Sequence, residues 1–332
     1  MKKVILLFLV LSLLLGLMSC EAVDTGDKDE GIPDKTSDTI SEESGSSETA
    51  SRGASNGYKT WVSLVKKIPL NRFEEFKNNR SCAIAKNYDT GNLYVTGFYD
   101  EVVQVYTSSG KYVKTIEHES LSSPVDISIH QGNGDLYVLN YTSHSVSVFD
   151  KNGNFLRNFG GAGSNDENLL YPHSIYATNR IYVSDGFANR DKVNIYDKSG
   201  GFIKAFGGSG AGSGKFYYPK GVAVYGGEVY VADAFNKKIQ VFSKLGSYKR
   251  EFSIAGIPPD DIAIDSHMEH LYYTDYTDVI VTNLEGDYVY SWGGKAFQGG
   301  TDDIIVDSKS RLVYVTDDNY IRVYKIYNSL YW

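Results

Sequence analysis

The chain has 332 residues, 42% of them hydrophobic and 22% charged, with a formal net charge of −8. A net acidic chain lacks the positive field that phosphate-backbone recognition needs, so nucleic acid is excluded as a partner. Two cysteines, Cys20 and Cys82, cannot make a disulfide-stapled scaffold, so a folded domain must rest on packing.

At the N-terminus, Lys2 and Lys3 precede an apolar run from Val4 to Met18, which is 15 residues and short of the roughly 20 that a spanning helix requires. Leu17-Met18-Ser19-Cys20 is similar to the lipobox of bacterial lipoproteins, in which the cysteine is lipidated and becomes the mature N-terminus. Residues 1–20 are therefore expected to be a lipoprotein signal peptide, with Cys20 the lipidation site and the membrane a partner through that anchor. The expected location is extracytoplasmic, at the cell envelope or cell surface. Residues 21–57 are poor in apolar side chains and rich in Ser, Thr, Gly, Asp and Glu, a composition that cannot bury enough surface to offset chain entropy. They read as a disordered acidic stalk with a net charge of −7, which leaves only −3 on the rest of the mature chain.

From residue 58 the pattern changes to repeats. Trp61 to Ile68 reads as one strand with no partners of its own. Then a hydrophobic-tyrosine-hydrophobic element recurs: Leu93-Tyr94-Val95, Leu136-Tyr137-Val138, Ile181-Tyr182-Val183, Val229-Tyr230-Val231, Leu271-Tyr272-Tyr273 and Val313-Tyr314-Val315. The tyrosines are spaced by 43, 45, 48, 42 and 42 residues, close to the roughly 40 to 50 of a four-stranded propeller blade. Within one unit, 222–224, 228–231, 238–242 and 248–252 are β-branched or aromatic runs divided by turn residues. Glycines 110, 153, 200, 246 and 286 mark the third turn of five units. The sixth unit lacks this glycine and stops at Trp332, so the strand at 61–68 is expected to supply its missing outer strand and close the ring. The fold expected for 58–332 is an all-β, six-bladed β-propeller of four-stranded antiparallel blades, closed by an N-terminal strand.

Phe206-Gly207-Gly208, Gly214-Lys215-Phe216, Tyr218-Pro219-Lys220-Gly221-Val222-Ala223-Val224, Val229-Tyr230-Val231-Ala232-Asp233 and Ile239-Gln240-Val241-Phe242 resemble the NHL repeat, whose members form six-bladed propellers. The resemblance covers roughly residues 58–332 and is sharpest in units two to four; units one and six lack the proline-x-glycine start.

In a propeller, the loops leading into the innermost strands gather around the channel at one end, here called the inlet face. Asp126, Ser174, Gly221, Asp261 and Asp303 align at one position of those starts, preceded by Val125, His173, Lys220, Asp260 and Asp302, with Ser81 assigned to the first unit. A ring of carboxylates suits a hard cation such as calcium, while Asp before an apolar strand equally serves to bond backbone amides. In the peptidyl amidating lyase branch of NHL-like propellers, histidines at this start converge on zinc. Here only His173 is present, so the three-histidine site is missing, and a mixed set of His173, Asp260 and Asp302 is the remaining zinc arrangement. No cofactor is otherwise indicated. The second aligned set, Gly97, Asn140, Asp185, Asp233, Asp275 and Asp317, follows the tyrosine strand and reads as loop caps.

His118, His130, His144, His267 and His270 show no metal-ligand spacing and receive no role. The segment 208–216 lacks both the first glycine and the Ser or Thr of a phosphate loop. Phe98, Tyr141, Phe235 and Tyr276 fall in inlet-side loops, where rings can stack on sugars or anchor a peptide.

Together these observations favour a membrane-anchored module over an enzyme, binding a protein, peptide or glycan through an inlet face made of Asp126, His173, Lys220, Asp260, Asp261, Asp302, Asp303, Phe235 and Tyr276. The alternative is a metal-dependent lyase or lactone hydrolase with its site at the central channel, as in enzyme branches of similar propellers.

Overall fold

The computed structural model describes residues 58–70, 81–186, 189–294, 297, 300–317 and 319–330. The signal, the stalk and Cys20 lie outside the described residues.

Six four-stranded antiparallel sheets surround one axis. Their innermost strands are Ser81–Lys86, Pro124–Ile129, Pro172–Ala177, Pro219–Tyr225, Ile262–Asp265 and Ile304–Asp307, in blades one to six. Blade four continues outward as Glu228–Asp233, Lys238–Ser243 and Tyr248–Ser253, so every strand read from alternation is present and slightly longer.

Both faces of each blade are covered by a neighbouring blade, which is why the second strands are apolar almost throughout. Side chains alternate across a strand, so Leu93 and Val95 join the wedge between blades six and one. Tyr94 turns the other way, into the wedge between blades one and two. The other repeated tyrosines do the same, and the core is six such wedges instead of one central mass. Tyr137, Tyr182, Tyr230, Tyr272 and Tyr314 are all essentially inaccessible.

The third-turn glycines have a second task beside their turn. Gly246 has φ +77°, and a Cβ there would lie 2.4 Å from the ring of Phe206 on the preceding blade. The turn thus needs both the backbone freedom and the missing side chain of glycine.

Blade six contains Ile304–Asp307, Leu312–Thr316 and Tyr320–Leu330, and its outer strand is Tyr58–Pro69 from the other end of the domain. The pairing is antiparallel from Tyr58 opposite Leu330 to Pro69 opposite Tyr320, with one irregularity between Leu64 and Lys66. Val62 and Ile68 anchor it by burying in the two wedges that flank blade six. Ring closure leaves the last blade with no missing strand, as the sequence required.

Candidate functional site

Register fixes which residues share a tier of the channel. Ile84, Ile127, Ile175, Val222, Ile262 and Ile304 face equivalent residues of their second strands. The residues just before them are Ala83, Asp126, Ser174, Gly221, Asp261 and Asp303. The assignment of Ser81 to this ring is therefore corrected: the pairing irregularity between Ser81 and Ile84 moves the equivalent position to Ala83.

The polar members of this tier tie each blade to the next. Asp126 Oδ2 accepts the N–H of Ile175 at 2.6 Å, and Ser174 Oγ accepts that of Val222 at 3.2 Å. Asp261 Oδ2 accepts the N–H of Ile304 at 3.3 Å, and Asp303 Oδ2 accepts that of Ile84 at 2.6 Å, joining blade six to blade one. Asp126 and Asp303 also take the N–H of their own following residues, each at 2.6 Å. Gly221 cannot contribute, and a Cβ there would meet Ile262 N at 2.7 Å, so its lack of a side chain lets blades four and five approach.

Three carboxyl groups in so narrow a ring cannot all ionise cheaply. Burial, the charge of Asp303 and a hydrogen bond to Asp303 hold Asp261 well above the usual carboxylate range. Asp126 is likewise pushed up, first by burial and then by Asp303. Asp303 is raised by burial, while the hydrogen bond from Asp261 and the two peptide N–H groups act to keep its charge. The proton between them is therefore carried by Asp261 and accepted by Asp303. Asp126 on blade two and Asp261 on blade five stand three blades apart, on opposite walls.

These three residues line a cavity of about 470 Å³ that runs along the innermost strands to their far ends, at Lys86, Tyr88, His130, Gln131 and Asn179. That size lies within the range of small-molecule sites. Lys86 Nζ is buried against Asp307 at 2.7 Å and the Tyr314 hydroxyl at 2.9 Å. Burial works against its charge, but these partners outweigh that and raise its pKa. His130, which sequence reasoning set aside, belongs to this lining. Its position at the end of an innermost strand is the signal that finds it.

The other predicted residues form a separate layer at the inlet face. Lys220 pairs with Asp260, and its ammonium lies 5.8 Å from the ring centre of Tyr218. His173 is half-buried, sits 4.6 Å from Tyr218 and donates from Nε2 towards the Gly186 carbonyl at 3.4 Å. Burial and the charge of Lys220 push its pKa down to about 3, so it is neutral. Phe235, on the 3₁₀ turn Ala234–Asn236, stacks on Tyr218 at 4.7 Å. Phe235 thus joins His173, Lys220 and Asp260, whereas Tyr276 rests on Gly300 and Asp302 is half-buried beside the blade-six start.

The calcium and zinc alternatives do not fit these residues. Among the described residues no group of three or more His, Cys, Asp or Glu side chains is placed to hold a metal ion. The Lys220 ammonium stands next to His173, and the carboxylate oxygens of Asp126 and Asp303 already accept peptide N–H groups. The second aligned set caps loops: Asp185 accepts the N–H groups of Leu170 and Tyr171, Asp233 that of Tyr217, and Asp317 those of Asn319 and Tyr320.

Residues 164–292 match a family model described as a 6-bladed beta-propeller. No curated protein matches the chain. Among solved structures it is similar to a gluconolactonase from Xanthomonas campestris, with 12% identity and a TM-score of 0.63 over 85% of this chain and 98% of that one. It is also similar to a protein provisionally assigned as a gluconolactonase, with 12% identity and a TM-score of 0.60 over 75% of this chain and 89% of that one. At such identity the likeness is one of fold. The expectation of a binding module for protein, peptide or glycan finds no support in these neighbours, of which one is a gluconolactonase and the other is provisionally so assigned. Repeat, topology and family match agree on what the chain is: a six-bladed β-propeller.

Proposed function

We propose that the chain is an NHL-type propeller, held outside the cytoplasmic membrane by a lipid on Cys20, that hydrolyses small lactones in its central channel. The observation that carries this reading is the pair of carboxyl groups on opposite walls of one cavity, Asp261 holding a proton against Asp303 and Asp126 facing it from blade two. Two carboxyl groups facing each other across a cavity, both pushed above the ordinary carboxylate range, are parts from which acid–base hydrolysis can be built.

In this reading a water molecule attacks the lactone carbonyl carbon while Asp126, as carboxylate, takes its proton. The acyl C–O bond of the ring breaks, and Asp261 gives its proton to the departing ring oxygen. The product is the open hydroxy acid, and exchange with solvent returns the two carboxyl groups to their starting states. Asp303 does not touch the reacting bond; gripped by the Ile84 and Ile304 N–H groups, it holds Asp261 protonated. The raised pKa of Asp126 makes it a stronger base than a surface carboxylate.

The resemblance in fold to gluconolactonases supports the choice of a lactone as substrate, and the lipobox-like residues 17–20 support the anchor. The test is acid release in a pH-stat with glucono-δ-lactone and δ-valerolactone. Release above the spontaneous rate is expected. A rate equal to that of buffer for both would leave the tier as a structural clasp and remove the proposal.

A further inference from the structure

The cavity lining contains the carboxyl tier and the far ends of the innermost strands, but none of Val125, His173, Lys220, Asp260 or Asp302. On the inlet side, Lys220 and Asp260 are bound to each other and His173 is packed on Tyr218, so the layer above the carboxyl groups is spent on its own contacts. On the opposite side the lining reaches the exposed residues Tyr88, Gln131 and Asn179.

We infer that molecules reach Asp126 and Asp261 from the outlet face, through a mouth framed by Tyr88, Gln131, His130 and Asn179, and not through the inlet loops. The assignment rests on the carboxyl tier being the reacting site, but its test does not need turnover.

The mouth is a built frame. Gln131 Nε2 donates to the Lys86 carbonyl at 2.9 Å, and its Oε1 accepts the Tyr88 N–H at 3.1 Å, tying blade two to blade one. The Tyr88 hydroxyl donates to the Val306 carbonyl at 3.0 Å, tying blade one to blade six. His130 Nε2 and Asn179 Oδ1 meet at 3.3 Å between blades two and three. These groups are polar, and just inside them stands the Lys86 ammonium. An entering molecule must therefore exchange water for amide, imidazole, phenol and ammonium contacts, which favours a small compound carrying hydroxyl or carboxylate groups over one with a long acyl tail.

Carbodiimide with methylamine converts accessible carboxyl groups to amides, and peptide mass spectrometry reads Asp126 and Asp261 individually. The full chain is compared as wild type, as Asn179→Cys capped with a bulky maleimide, and as Phe235→Cys capped in the same way; wild type treated with the maleimide is the baseline. Asn179 and Phe235 are both exposed, so capping either is compatible with the fold, and circular dichroism checks this. Loss of Asp126 and Asp261 labelling in the Asn179 variant, with labelling kept in the Phe235 variant, is the expected result. Labelling that survives the Asn179 cap, that disappears with the Phe235 cap, or that never occurs in wild type while surface Asp150 reacts, would overturn the outlet route. Labelling through the outlet without lactone turnover would retain the route and remove the hydrolase reading alone.

Discussion

Replacing Asp303 by alanine removes the clasp between the last blade and the first, and its cost can be worked from the contacts. The Ile84 N–H loses its acceptor completely, and a buried donor left unsatisfied costs about 1–3 kcal/mol. The Ile304 N–H keeps a longer contact of 3.3 Å to Asp261, so its loss is smaller, about 1 kcal/mol. Removing a charge beside Asp261 and Asp126 works the other way, because both are held above their ordinary range partly by Asp303. The net expectation is a destabilisation of about 2–3 kcal/mol, a large share of a stability of about 5–15 kcal/mol. Asp303→Asn keeps one acceptor oxygen and should fall between the variant and wild type. Urea denaturation followed by tyrosine and tryptophan fluorescence, with the slope checked for constancy, measures it. Equal stability of Asp303→Ala and wild type would refute the claim that this tier holds blade six to blade one.

Three other outcomes follow from the same structure. Ile68→Ala, in the closing strand and 1% exposed, should cost about 2–5 kcal/mol and open the ring to proteolysis at its N-terminal strand. Gly246→Ala should destabilise by more than about 1 kcal/mol, since it adds strain at positive φ to a 2.4 Å contact with Phe206; thermal melting reads this, and a neutral result would mean that the blades can shift there. The pH dependence has a definite sign. Asp126 and Asp261 have folded pKa values above the unfolded one, so the folded chain binds more protons, and stability falls as pH rises from the unfolded value through the folded values. Asp261→Asn should flatten that fall, and a variant with the wild-type slope would contradict the raised pKa.

Much of the architecture was legible because it is local and repeated. The tyrosine element, the turn glycines and the unit that lacks one were enough to place Tyr58–Pro69 in the sixth blade. The strand Tyr320–Leu330 is long because its partner strand Tyr58–Pro69 supplies hydrogen bonds along its whole length. Alignment of the strand starts found Asp126, Ser174, Gly221, Asp261 and Asp303, but a pairing irregularity, invisible in the residues, hid Ala83 as the sixth member, on blade one. The proton held between Asp261 and Asp303 depends on distance across blades, which spacing along the chain does not encode. The cavity mouth was missed for a similar reason: His130 and Gln131 look like ordinary hairpin residues until the ring brings them beside Lys86 and Asn179. Phe235 and Tyr276 were grouped by their loops, yet only Phe235 joins the Tyr218 stack. The binding-module reading placed Asp126, Asp261 and Asp303 around the channel but grouped them with His173, Lys220, Asp260, Asp302, Phe235 and Tyr276, none of which lines the cavity.

The most direct measurement is the lactone-opening rate of Asp261→Asn beside Asp260→Asn, both against wild type, in a pH-stat. Asp260 is the sequence neighbour of Asp261, but it is bound to Lys220 and lies outside the cavity lining. The account predicts that Asp261→Asn loses turnover while remaining folded, and that Asp260→Asn retains it. Equal rates for the two variants, or loss in Asp260→Asn alone, would contradict it.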